Sequence, residues 1–184
     1  MMNISFDLSG KIDQQTIDAL LTIKKEADIL NIPFFVVGAF ARDIILKHCY
    51  GITPRRMTGD IDLGINIADW GQFDIFIDSL ISTGKFFRTK EPQRYIFDST
   101  LIDIVPFGAI ADEQFKIGWP PEHKILMSIV GFKEAFENSI IVRLNSDPEL
   151  DIKVPTLPGL AVLKLISWKE KYPERAKDAD DCCS

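Results

Sequence analysis

The chain has 184 residues, of which 46% are hydrophobic and 26% charged, a composition typical of a globular protein rather than a disordered or fibrous one. Its formal net charge of −6 disfavours a large nucleic-acid-binding surface, because proteins that coat nucleic acid usually carry a basic excess. No apolar run reaches about 18 residues, so the sequence predicts no membrane-spanning helix and no membrane partner. The polar N-terminus is unlike a secretory signal, and three cysteines form no disulfide framework, so we expect a cytoplasmic protein.

Hydrophobic periodicity predicts helices that alternate with short strands along the chain. In chain order it predicts a helix over 13–30 capped by Asp13, a strand over 34–37, a helix over 39–47, a loop over 49–58, a strand over 60–65, a helix capped by Asp69, a hairpin of strands 93–98 and 101–105 with its turn at 99–100, a short helix over 131–138, a strand over 140–144 and a helix from 156. The stretch 110–124 shows no clear period.

This order of elements predicts an α/β (or α+β) domain, built on a small mixed β-sheet flanked by helices. We expect a core over 1–155 and a C-terminal helical segment over 156–184 that packs on it.

Two carboxylates one residue apart are the most informative feature of the sequence. Asp60 and Asp62 fall on the predicted strand over 60–65, where residues i and i+2 point to the same face. Two adjacent carboxylates repel each other, and a bound divalent cation would remove that cost. The competing interpretation is a solvated strand face, which is the commoner origin of this short pattern.

A third carboxylate lies within an apolar strand. Asp103 is flanked by Leu101, Ile102, Ile104 and Val105, and a buried carboxylate without a partner would be costly. A metal ion shared by Asp60, Asp62 and Asp103 would compensate it. Such a set of hard oxygen ligands is suited to Mg²⁺, with Mn²⁺ as an alternative.

Zinc is disfavoured as the metal, because zinc sites are built from clusters of histidine and cysteine ligands. The chain has two histidines, His48 and His123, and neither has a ligand-like neighbour in the sequence.

A glycine marks the junction between the strand over 34–37 and the next helix. Gly38 would let a phosphate approach the backbone, and the amides at a helix N-terminus favour anions. Taken alone, the glycine is better explained by an ordinary strand-to-helix turn.

Taken together, Gly38-Ala39, the helix, Asp60-Ile61-Asp62 and Asp103 resemble the signature of the DNA polymerase β-like nucleotidyltransferase superfamily. The stretch 38–43 is also similar to the opening motif of tRNA-nucleotidyltransferase and poly(A) polymerase heads. This resemblance implies that Asp60, Asp62 and Asp103 are catalytic and bind metal. It also implies that Gly38, Ala39 and Arg42 bind a nucleoside triphosphate.

The C-terminal stretch adds a second resemblance. Lys164 and Asp178 lie in segments similar to the end of AbiEii-type nucleotidyltransferases, the toxin halves of type IV toxin–antitoxin systems. That resemblance implies a phosphate contact for Lys164 and an antitoxin protein as partner. From the residues themselves, Lys164 lies among apolar neighbours, so an ion pair with Asp178 is an equal alternative.

Two departures from the superfamily pattern stand out. Ala39 replaces the second glycine or serine, so the backbone N–H remains but no hydroxyl is present. In addition, the segment 47–57 is an apparent insertion, and its Arg55 and Arg56 would either approach a triphosphate or stay solvated.

The resemblance implies transfer of a nucleoside monophosphate to a hydroxyl group with release of pyrophosphate. For the acceptor, the sequence leaves an RNA 3′ end, a small molecule and a protein side chain open. A nucleotide- or partner-binding module with degraded chemistry is the non-enzymatic alternative, and Ala39 is the feature that supports it.

Overall fold

A computed structural model describes residues 4–52 and 59–171 of the chain. Its helices are α1 (Gln14–Ile29), α2 (Gly38–Asp43), α3 (Trp70–Ser82), α4 (Phe132–Glu137) and α5 (Leu157–Lys171), with a π-helical segment over Ile44–Cys49. Its strands are β1 (Ile4–Asp7), β2 (Phe34–Val37), β3 (Ile61–Asn66), β4 (Phe86–Arg88), β5 (Arg94–Phe97), β6 (Thr100–Phe107), β7 (Lys116–Gly118), β8 (Leu126–Ser128), β9 (Ile140–Ser146) and β10 (Glu149–Val154).

The main sheet is mixed and has five strands in the order β2-β3-β6-β5-β4. Strands β3 and β6 are parallel, and the other neighbours are antiparallel. A second sheet has the order β1-β9-β10, and β7 and β8 form a separate pair. The predicted α/β class with small mixed sheets flanked by helices is confirmed.

Helix α1 follows the prediction closely because its start and its buried face are both encoded locally. The Asp13 carboxylate accepts a hydrogen bond from the Thr16 N–H at 2.9 Å, which caps the helix. Ile17, Leu20 and Ile23 are then buried at helical spacing.

The helix predicted over 39–47 is divided in two. Six α-helical residues, Gly38–Asp43, are followed by the π-helical segment Ile44–Cys49, which ends with a hydrogen bond from the Tyr50 N–H to the Ile45 carbonyl. Periodicity did not distinguish the two, since Ala41, Ile44 and Ile45 are buried in either geometry. Part of the predicted loop over 49–58 lies outside the described residues.

The sequence analysis missed the shortest strands and one longer strand. Strands β1, β4, β7 and β8 have only three or four residues, too few to establish a period of two. Strand β10 does alternate, with Leu150, Ile152 and Val154 buried between polar residues, so its signal was present in the sequence.

An aromatic cluster packs beneath one face of the main sheet. Phe35 lies 5.4 Å from Phe107 and 5.5 Å from Phe136, measured between ring centroids. Gly64, the register partner of Phe35, makes room for this cluster, because a Cβ there would overlap the Phe35 ring. It would also approach Phe132 of α4 at 3.2 Å, so α4 covers the face to which position 64 points.

Helix α5 contacts both α2 and α4. A Cβ at Gly131, just before α4, would meet Ile166 and Leu163 of α5 at 3.0 and 3.3 Å. The division into a core and a C-terminal segment remains a prediction, and residues 172–184 of that segment lie outside the described residues. Within 4–52 and 59–171, no helix is long and apolar enough to span a membrane.

Candidate active site

Four neighbouring strands contribute one residue each to a row across the main sheet. Val37 of β2 pairs with Asp62 of β3, Asp62 with Asp103 of β6, and Asp103 with Arg94 of β5. Register partners on neighbouring strands share a face, and neighbouring strands lie about 4.8 Å apart. The structure therefore places the predicted Asp62 and Asp103 side by side. The charged members of this row are Asp62, Asp103 and Arg94. We call these three residues, together with Asp60, the acidic row.

Asp60 completes the acidic row from the chain just before β3. It is exposed, and its negative charge contributes to the raised pKa of Asp62, so the two carboxylates are electrostatic neighbours. Residues 53–58, which precede it and include Arg55 and Arg56, lie outside the described residues.

Asp62 is the carboxylate with the most perturbed environment in the acidic row. Burial raises its pKa to about 6, with further contributions from the negative charges of Asp103 and Asp60. The Ala39 backbone N–H donates a hydrogen bond to this carboxylate. That hydrogen bond and the positive charge of Arg94 both lower the pKa of Asp62, but by less than the other contributions raise it. A partly buried carboxylate beside two others is an arrangement that a divalent cation would stabilise.

Gly38 provides the space in which the Asp62 carboxylate lies. Its φ angle is +67°, and a Cβ at this position would overlap Asp62 Oδ2 and lie 2.9 Å from Asp62 Cβ. Glycine is therefore required here for two reasons, the left-handed backbone and the close approach. The sequence analysis linked Gly38 and Ala39 to phosphate binding, whereas the structure shows both residues in contact with Asp62. Their contact with nucleotide remains a prediction.

Asp103 has a protein partner that the sequence analysis did not anticipate. Arg94 Nε donates to Oδ1 at 2.7 Å and Nη2 donates to Oδ2 at 2.8 Å, a two-pronged ion pair. The hydrogen bonds and negative charge of Asp103 raise the pKa of Arg94. The sequence analysis expected some compensation for Asp103, and Arg94 provides it. Metal binding by Asp103 remains a prediction.

The register of the hairpin would have identified Arg94. The sequence analysis placed the turn at 99–100, but Phe97 pairs with Thr100, so the two turn residues are Asp98 and Ser99. Asp98 adopts a φ of +52°, a conformation that aspartate tolerates better than most residues. Counting back from this turn places Arg94 opposite Asp103.

The two remaining predicted nucleotide ligands lie on helices near the row. Arg42 donates from Nε and Nη2 to Asp43 Oδ1 at 3.0 and 2.9 Å, and both side chains are largely buried. Lys164 is half-buried on α5, a helix that contacts α2. Asp178, its proposed ion-pair partner, lies outside the described residues.

The donor set fits a divalent cation in part. Asp60 and Asp62 are neighbouring hard oxygen donors of the kind that Mg²⁺ binds. In residues 4–52 and 59–171, however, no group of three or more His, Cys, Asp or Glu side chains is arranged to hold a metal ion. The third predicted ligand, Asp103, is bonded through both oxygens to Arg94.

A groove of about 440 Å³ lies at the other end of strands β3 and β6. Asn66 and Phe107, the last residues of those strands, line it together with Phe115 and Lys133. The acidic row does not contribute to this groove, so the groove does not identify the site.

Comparison with solved structures identifies the fold. A nucleotidyltransferase-like antigenic protein from Paracoccidioides brasiliensis matches 96% of this chain and 76% of its own, with 18% identity and a TM-score of 0.57. The chain has a nucleotidyltransferase-like fold. No protein-family model and no curated protein matches it.

Two other matches are more distant in structure. ANT(2″)-Ia in complex with adenylyl-2″-tobramycin has 14% identity and a TM-score of 0.49, over 92% of this chain and 86% of that one. The Thermotoga maritima CCA-adding enzyme complexed with tRNA has 19% identity and a TM-score of 0.39, over 74% of this chain and 34% of that one.

Proposed function

We propose that this protein is an Mg²⁺-dependent nucleotidyltransferase that transfers a nucleoside monophosphate from a nucleoside triphosphate to a hydroxyl group and releases pyrophosphate. The observation that carries the proposal is the position of Asp62 beside Asp103 on two parallel strands, with Asp60 two residues before Asp62. The nucleotidyltransferase-like fold supports it.

In this proposal each part of the acidic row has a separate task. Asp60 and Asp62 would hold the cation together with the triphosphate, and Asp103 would accept the proton of the acceptor's hydroxyl group. The hydroxyl oxygen forms a bond to the α-phosphorus while the bond to the pyrophosphate oxygen breaks. A bound divalent cation would supply neutralisation of the charge that develops on the leaving group.

Phosphate binding is assigned to the groups around the start of α2. Gly38 and Ala39 form the turn, and Arg42 and Lys164 provide cationic side chains on two helices that contact each other. Positive charge at these points would offset the charge of the triphosphate, and positioning is the main source of rate in such reactions.

For the acceptor, we propose an RNA end, such as a tRNA 3′ end, in a toxin–antitoxin setting with an antitoxin as partner. The resemblance of the C-terminal stretch around Lys164 to AbiEii-type proteins supports this choice. A small hydroxyl-bearing molecule is the second candidate, and the net charge of −6 favours it because an acidic protein attracts polyanions poorly.

A binding module without chemistry is disfavoured by the contact made at Ala39. The group that Ala39 contributes to the site is its backbone N–H, which hydrogen-bonds to Asp62 and is present in any residue except proline. The missing hydroxyl at this position therefore leaves the support of Asp62 unchanged.

The proposal predicts pyrophosphate release from at least one of the four nucleoside triphosphates in the presence of Mg²⁺ and total cellular RNA. We expect Asp60→Asn to reduce this release by about 100-fold or more, since a metal ligand contributes several kcal/mol to the transition state. Chelation of Mg²⁺ should have a comparable effect. Asp74→Asn, which changes an exposed aspartate on α3, should leave the rate unchanged.

The control reactions separate the candidate functions. Release that requires RNA supports an RNA acceptor, whereas release without RNA but with a hydroxyl-bearing small molecule supports the second candidate. Nucleotide binding without any pyrophosphate release would support the binding module. Equal rates for the wild type and Asp60→Asn would refute the assignment of the acidic row.

A further inference from the structure

Resting on the proposed function, we propose that Arg94 is an internal counter-ion that takes the place of a metal ion. In the free protein its guanidinium group holds Asp103 away from the metal-binding position, and Asp103 joins Asp60 and Asp62 as a ligand only after this ion pair opens. Arg94 is thus a positioning residue that controls how many carboxylates the cation meets.

The geometry of the ion pair supports this role. Both oxygens of Asp103 accept hydrogen bonds from Arg94, at 2.7 and 2.8 Å. Arg94 belongs to β5 and Asp62 to β3, and these strands lie on opposite sides of β6. The hydrogen bonds that Asp103 accepts from Arg94 therefore come from the side of β6 opposite to Asp62. This explains why the described residues contain no assembled three-carboxylate site.

The charge distribution around the row points the same way. Besides Asp103, the negative charge of Asp60 also raises the pKa of Arg94, so the guanidinium lies within electrostatic reach of more than one carboxylate. Its positive charge also lowers the pKa of Asp62, but by less than burial, the two neighbouring carboxylates and the Ala39 hydrogen bond change it. Arg94 therefore neutralises Asp103 and leaves Asp62 available for a cation.

A second arginine in the same protein provides a comparison. Arg143 on β9 makes the same two-pronged pair with Asp151 on β10, with both hydrogen bonds at 2.8 Å. Its other register partner is Asp7 on β1, so in that sheet the arginine lies between two aspartates. Hydrogen bonds from Ser9 and, to a smaller extent, the charge of Arg143 lower the pKa of Asp7.

The order of charges in the acidic row is different. There the two aspartates on paired strands, Asp62 and Asp103, are adjacent, and Arg94 pairs with Asp103 on its other side, so the arginine does not lie between them. In the three-stranded sheet, by contrast, the arginine is in the middle and lies beside both aspartates. An adjacent pair of aspartates with the arginine at one end leaves a position between the two carboxylates that a metal ion could occupy.

The test is a titration of the nucleotide-free protein with Mn²⁺, followed by the electron paramagnetic resonance signal of the free ion. We expect Arg94→Gln to bind Mn²⁺ at least about tenfold more tightly than the wild type, a difference of about 1.4 kcal/mol. Arg143→Gln is the control, because it removes the corresponding two-pronged pair with Asp151, together with an ion pair to Glu149, from the three-stranded sheet, and it should bind like the wild type.

Two further variants distinguish release of Asp103 from a simple loss of positive charge. Arg94→Lys keeps the charge but lacks the fork that holds both oxygens, so it should also tighten Mn²⁺ binding. In the double variant Arg94→Gln/Asp103→Asn the gain should disappear, because the ligand that was released is no longer present. Circular dichroism establishes whether each variant is folded. If Arg94→Gln does not fold, the more conservative Arg94→Lys replaces it in the titration.

Each result has a defined meaning. If Arg94→Gln and Arg94→Lys bind Mn²⁺ no better than the wild type, or if the gain persists in the double variant, the proposed role of Arg94 is wrong. The pyrophosphate assay on the wild type is independent of this titration. If the wild type releases pyrophosphate but Arg94→Gln binds Mn²⁺ no more tightly, the counter-ion role is refuted and the proposed transferase activity stands. If Arg94→Gln binds Mn²⁺ more tightly but the wild type releases no pyrophosphate, the counter-ion role stands and the proposed transferase activity is refuted.

Discussion

Replacing Asp62 with asparagine is expected to stabilise the protein at pH 8 and at the same time to abolish nucleotidyl transfer. The asparagine amide retains an oxygen that can accept the hydrogen bond from the Ala39 N–H, but it carries no charge. Removal of the charge eliminates the repulsion from Asp103 and Asp60 and the cost of burying an ion. The same change removes a proposed metal ligand, for which we expect a loss of about 1000-fold or more in rate.

The pH dependence of this stabilisation follows from the direction of the pKa shift. The pKa of Asp62 is raised from 3.8 to about 6 in the folded protein, so between these values the folded state binds a proton that the unfolded state has released. The free energy of unfolding therefore falls as the pH rises from about 4 to about 6. Above that window the full penalty is present, on the order of 2 kcal/mol after allowance for partial solvation.

Urea denaturation of the wild type and Asp62→Asn at pH 4 and pH 8 measures this effect. The two proteins should have nearly equal free energies of unfolding at pH 4, and the variant should be the more stable one at pH 8. Asp74→Asn, on the exposed face of α3, should differ from the wild type by less than about 0.5 kcal/mol at both pH values. A variant that is less stable than the wild type at pH 8 would show that the Asp62 charge is already well compensated.

Sequence patterns were sufficient to single out three carboxylates that the fold brings close together, although their role as a site remains a prediction. The period of two predicted Asp60 and Asp62 as neighbours, and the charge of Asp60 does act on Asp62, although β3 begins at Ile61 and Asp60 lies just before it. The apolar run around Asp103 correctly indicated an interior strand. Strands β3 and β6, however, are parallel and are separated in the chain by α3 and two other strands. The register that aligns Asp62 with Asp103 could therefore not be predicted from local sequence patterns.

The residues that neutralise or shape the site were harder to predict. Arg94 was missed because a shift of the assumed turn from 98–99 to 99–100 changes every cross-strand pair in the hairpin. Gly38 was recognised as a turn residue. The structure shows a further reason for glycine at this position, because the Asp62 carboxylate, 24 positions further along the chain, occupies the space that a Cβ would need. Packing between distant segments is not visible in a local sequence window.

Gly38→Ala is expected to lower the free energy of unfolding by about 3 kcal/mol and to remove most of the transfer activity. A φ of +67° costs a residue with a Cβ about 1–2 kcal/mol, and forcing a group into a filled space costs typically another 1–3 kcal/mol. The new methyl group overlaps Asp62 Oδ2, so the carboxylate must leave the position where Ala39 holds it. Gly84→Ala is the matched control, because Gly84 has a φ of +73° but no neighbouring atom within 4 Å.

A double-mutant cycle with Asp62→Ala isolates the contribution of the overlap. In the Asp62→Ala background the Oδ2 and Cγ atoms are absent, and only the contact with Cβ at 2.9 Å remains. The stability cost of Gly38→Ala should then fall towards the roughly 1 kcal/mol expected for Gly84→Ala, a coupling of about 1–2 kcal/mol. If Gly38→Ala costs the same with or without the Asp62 carboxylate, the glycine serves the backbone turn alone. A clear coupling would show that the glycine turn and the acidic row form one structural unit, in which the turn fixes the position of the buried carboxylate.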